Sequence, residues 1–60
     1  MFDRELLRLA KIMHAEQAAF GEPLDRVKIR RFKKQIRSAY LRGEKYIEGL
    51  SEPIVFRNNF

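Results

Sequence analysis

Arg26, Arg30, Lys33 and Arg37 recur at steps of four, three and four residues. On an α-helix that spacing gathers the four side chains within an arc of about 60°, in a row about 16 Å long. Arg31, Lys34, Arg42 and Lys45 form a second, looser row beside it. Such rows neutralise phosphates, the sequence-independent part of nucleic-acid binding. Between Asp25 and Arg42 eight cations stand against one carboxylate, a local charge of +7 in a chain whose net charge is +5. A solvated helix more ordinarily mixes its signs, as the stretch containing Arg4, Glu5, Arg8 and Glu16 does.

Other chemistry finds little to work with. His14-Ala15-Glu16-Gln17 has half of a zinc-protease helix, but His14 is the one histidine in the chain. There is no cysteine, and neither Ser38 nor Ser51 has a histidine near it in sequence. No glycine-rich phosphate loop occurs. We therefore expect a non-enzymatic protein with no catalytic, cofactor-binding or metal site. His14 falls at the flank of an apolar stripe, where a boundary histidine with one wet edge is expected.

The candidate binding residues are Arg26, Arg30, Arg31, Lys33, Lys34, Arg37 and Arg42. Ser38 is nearly alone among polar side chains able to read a base edge on that face, so contacts mainly to phosphate are expected. Phe32, Tyr40 and Tyr46 fall on the apolar side, which leaves no aromatic platform for single strands. Val27 and Leu41, apolar residues set among the cations, could instead anchor a protein. The favoured expectation is a small regulator that binds nucleic acid. The alternative is an adaptor or inhibitor that docks the same face on an acidic protein. A membrane surface fits less well, because a second helix competes for the apolar face and no tryptophan is present.

The elements that must carry these residues are two helices. Phe2, Leu6, Leu9, Ala10, Met13 and Phe20 share one face, predicting helix one over about residues 3–20, with Asp3 as N-cap and Gly21 as its stop. Pro23 suits a first helical turn. From there Ile29, Phe32, Ile36, Ala39, Gly43, Tyr46 and Leu50 alternate steps of three and four, a coiled-coil seam. The stripe passes through Gly43 in phase, so helix two is predicted over about residues 23–49, some 39 Å. Its end is assigned to Gly49.

Folded as an antiparallel hairpin, the pairing sets Leu9 opposite Ile36, Leu6 opposite Ala39 and Phe2 opposite Gly43. The stripe beyond Gly43 then needs a cover, either the non-helical tail at residues 51–60 or a second copy. The fold class expected is all-α: one domain over residues 1–60, a two-helix hairpin with a short tail. Homodimerisation into a four-helix arrangement is expected, since 60 residues bury a small core. The longest apolar run has three residues, and the charged opening Met1-Phe2-Asp3-Arg4-Glu5 lacks the pattern of a signal peptide. With no cysteine, the expectation is a cytoplasmic protein.

Overall fold

The computed structural model describes residues 2–56, and for Phe2 the backbone alone. Two α-helices pack together as a hairpin: α1, Phe2–Gln17, and α2, Arg26–Leu41. Among the described residues there is no strand. Leu6, Leu9, Ala10 and Met13 of α1 meet Ile29, Phe32, Ile36 and Ala39 of α2 in one buried cluster. The expected partners Leu9 and Ile36 are both fully buried, as is Ala39. The pairing of Phe2 with Gly43 concerns a side chain outside the described residues.

α1 stops at Gln17, three residues short of the predicted end. Ala18 makes a last helical bond to His14, and a tight turn then takes over. Glu22 N–H donates to the Ala19 carbonyl at 2.9 Å, with Gly21 third in the turn at φ +81°, a backbone conformation glycine adopts without strain. Phe20, expected on the buried stripe, is instead fully exposed.

α2 begins three residues later than predicted, because Asp25 serves as its N-cap. The Asp25 backbone is extended (φ −103°, ψ 114°), and its carboxylate accepts the N–H groups of Val27 and Lys28. Pro23 lies ahead of the helix, in the extended approach that a proline imposes on its predecessor.

The largest correction is at the other end. α2 ends at Leu41, giving about 24 Å of helix in place of about 39 Å. Gly43 adopts φ +80°. Its N–H bonds to the Tyr40 carbonyl and the Glu44 N–H to that of Ala39, both at 3.0 Å. That bond pair is the Schellman stop, which satisfies carbonyls a helix end leaves open. Gly43 is therefore the left-handed residue just past the C-cap Arg42 and not a seam residue, and a Cβ placed on it would meet nothing within 4 Å.

The chain then returns across the hairpin. A turn at Glu48–Gly49 leads to Leu50, which is buried, while Ile47 packs half-buried against the cluster. Tyr46, expected on the seam, points to solvent. Ile54 completes the core, its N–H bonded to the Lys45 carbonyl at 2.6 Å. Phe56 packs edge-to-face on Tyr40, with ring centroids 4.5 Å apart. Polar clasps hold the same segment: Ser51 N–H to Glu16 at 3.0 Å, Gln17 Nε2 to the Gly49 carbonyl at 3.4 Å, and Arg8 to Glu52 at 3.3 Å. The segment thus folds back over the two-helix core itself, to which it adds Leu50 and Ile54; the helical stripe expected beyond Gly43 does not form, and Tyr46 stays uncovered. Residues 57–60 of that tail lie outside the described residues.

Candidate nucleic-acid interface

α2 carries seven cations and no carboxylate in its sequence RVKIRRFKKQIRSAYL. Burying Ile29, Phe32, Ile36 and Ala39 fixes the rotation of the helix about its axis, and that rotation turns the cations outward. Arg26, Arg30, Arg31, Lys34 and Arg37 are exposed and Lys33 half-buried. The row Arg26–Arg30–Lys33–Arg37 is intact, since all four lie within the helix.

Two members of the expected rows are altered. Arg42 is the C-cap, off the helical face, and its Nε pairs with Glu44 at 2.8 Å. Lys45 lies beyond the Schellman turn, so the second row shrinks to Arg31 and Lys34. Lys28, on the far flank, pairs with Glu22 at 3.0 Å. The Lys28 ammonium and then the Ala19 N–H hold the Glu22 carboxyl below the usual carboxylate range.

Among the described residues, Arg26, Arg30, Arg31, Lys33, Lys34 and Arg37 enter no ion pair. Six of the eight carboxylates are committed elsewhere: Glu5 and Glu52 to Arg8, Glu16 to Ser51, Glu22 to Lys28, Glu44 to Arg42, and Asp25 to its cap. The cations also crowd toward the helix start; none lies in the last turn. A helix is positive at its N-terminus, so this arrangement opposes helix stability and strengthens attraction for an anion.

Val27 and Leu41 stand on the basic face as expected, 65% and 71% exposed. Aromatic exposure departs from expectation. Phe20 and Tyr46 lie in solvent, and Tyr40 at the end of α2 is 40% exposed. A helix two reaching residue 49 would bury Tyr46 on the seam and leave no stacking platform; the stop at Gly43 releases that ring. A glycine followed at once by a polar residue, Gly43-Glu44, was the available signal for the earlier stop.

His14 is more enclosed than a boundary residue, at 3% exposure. Its Nε2 accepts the Asp25 N–H at 3.0 Å, and its ring meets Phe32 edge-on at 6.3 Å. It positions the start of α2 and faces no reactive group. No helix among the described residues is long and apolar enough to cross a membrane.

No protein-family model, curated protein or solved structure matches this chain. The basic face therefore has to be read from its own geometry.

Proposed function

We propose that the protein is a small non-enzymatic regulator of the cytoplasm that binds nucleic acid, chiefly through phosphate contacts from α2. The observation that carries this reading is the set of six outward-facing cations without carboxylate partners. A helix that holds like charges at four-residue spacing loses a few tenths of a kcal/mol per pair. An anionic partner reverses that repulsion, and its condensed counterions are released on binding.

The test is affinity for a labelled oligonucleotide as a function of salt. With four to six phosphate contacts the log–log slope is about −0.9 per contact on duplex and about −0.7 on single strands. Arg30→Ala or Arg37→Ala should each flatten it by about one unit. Binding that ignores salt, or keeps its slope in both variants, rejects the reading.

A second reading rests on Val27 and Leu41. Two exposed apolar residues among cations suit an adaptor or inhibitor docking on an acidic protein, with its energy concentrated at those anchors. In that case Leu41→Asp abolishes capture of the partner while a single Arg→Ala does not.

A homodimer with a four-helix arrangement is part of the same proposal, because a core of this size gains stability from a second copy. The two basic faces would then point apart, since pairing them opposes like charges. Sedimentation at micromolar concentration decides between dimer and monomer.

A further inference from the structure

We infer that α2 enters the major groove of double-stranded DNA, with Val27 against a thymine methyl and Lys34 on a guanine about three base pairs away. The inference rests on the phosphate-binding reading above and adds the form of the nucleic acid and a sequence preference.

Ile29, Phe32, Ile36 and Ala39 bury one side of α2 in the core shared with α1. At about 100° per residue, the side half a turn from them carries Val27 and Lys34, which lie within about 20° of one another. Both are exposed, and Val27 is an apolar residue left 65% in water. Cations border this strip on both flanks. The row Arg26–Arg30–Lys33–Arg37 lies about 80° to one side and Arg31 about 50° to the other. No carboxylate occurs in the helix.

That cross-section matches a major groove. An α-helix about 10–12 Å across fits a groove about 12 Å wide. The groove floor presents thymine methyls and the O6 and N7 acceptors of guanine, and its walls are phosphate. An apolar side chain and an ammonium on the outermost strip meet the floor while the flanking cations meet the walls. Val27 and Lys34 stand about 10.5 Å apart along the helix axis, which is three base-pair steps of about 3.4 Å. Reading three successive bases from two turns of helix is an established docking geometry. Leu41 lies two further turns along and is given no base.

Other nucleic acids leave part of this surface unmet. Duplex RNA has a deep, narrow major groove that side chains cannot read, and its uracil lacks the methyl group. A single strand needs rings on which to stack. The two rings of α2, Phe32 and Tyr40, sit more than about 100° around the helix from the strip.

The experiment selects bound sites from a duplex DNA pool with about six randomised base pairs, then measures affinities at one salt concentration. The enriched site should hold a thymine about three base pairs from a guanine. The same sequence as duplex RNA should bind about tenfold or more weakly. Thymine-to-uracil replacement in the DNA should weaken the parent protein about fourfold, the loss of one methyl contact, and leave Val27→Ala unaffected. Lys34→Ala should erase the guanine preference, a discrimination of about fivefold or more. Arg37→Ala should weaken all sequences alike, and Leu41→Ala should change nothing. No enriched site, or duplex RNA bound as tightly as DNA, overturns the inference and leaves the phosphate reading standing if binding still falls with salt. Absence of salt-dependent binding to every probe overturns both.

Discussion

His14 on α1 and Asp25 at the head of α2 are joined by one hydrogen bond, from the Asp25 N–H to the His14 Nε2 at 3.0 Å. Asp25 in turn caps α2 with its carboxylate. A buried side chain of one helix thereby fixes where the other begins, one residue before the cation row.

Replacing that acceptor should therefore loosen the hairpin at its connection. His14→Phe keeps a ring against Phe32 but strands a partly buried N–H, a loss of about 1–3 kcal/mol. Urea unfolding should show a lower midpoint at unchanged slope. An unaltered midpoint would mean that the bond to Asp25 contributes nothing.

Gly43 separates two accounts of the same glycine. As the left-handed residue that follows the C-cap, with open space around it, it should lose about 1–2 kcal/mol on substitution by alanine and about the same by leucine. Gly43→Asn should lose less, because asparagine tolerates the left-handed region. The seam assignment expects alanine to stabilise and leucine to overpack. A leucine variant far worse than the alanine variant would reinstate the seam.

The returning tail should be structural. Ile54 is buried at the core, so Ile54→Ala should cost about 2–5 kcal/mol. Arg8→Ala breaks half-exposed ion pairs to Glu5 and Glu52 and should cost less than about 1 kcal/mol. If Ile54→Ala melts like the parent chain, the tail is not part of the core.

Acid should loosen the Ser51–Glu16 clasp and the Lys28–Glu22 pair. Hydrogen bonds from Ser51, through its side chain and then its N–H, hold the Glu16 carboxyl below the usual range. Glu22 is held down in the same direction, first by Lys28. A carboxyl whose pKa falls on folding adds stability above its unfolded pKa, about 4.3, and loses it as pH drops through the lower folded value. The melting temperature should be level from neutral to about pH 5 and decline below it. Both groups face solvent, which keeps the effect small. The double variant Glu16→Gln, Glu22→Gln should show a shallower decline; an identical acid slope would rule these two groups out.

Much of the hairpin was legible because helical burial repeats along the chain. Leu6, Leu9 and Met13, then Ile29, Phe32, Ile36 and Ala39, announce their faces by spacing alone, and all are buried. The helix ends were not legible for the same reason. Tyr46 and Leu50 keep the step of three and four past Gly43, yet Leu50 reaches the core by a returning turn and Tyr46 does not reach it at all. Periodicity counts residues; it cannot register a backbone that turns left-handed between them. The cation row survived because it lies wholly inside α2. The withdrawal of Lys28 by Glu22 and of Arg42 by Glu44 depends on loop geometry that no spacing rule encodes. The exposure of Phe20 was hidden by the misplaced end of helix one, and that of Tyr46 by the misplaced end of helix two.

The placement of Ile54 in the core bears on how the chain meets the cell during its synthesis. A ribosome needs on the order of a second to add residues 42–54, whereas collapse of a short helical segment takes about 100 μs or less. For that interval the newborn hairpin stands with one flank of its core uncovered. A nascent chain stalled with Ile54 still inside the exit tunnel should be cut readily by protease, and one stalled with it well outside should resist. Chaperone and self-association hazards would be confined to that interval and end when one isoleucine emerges.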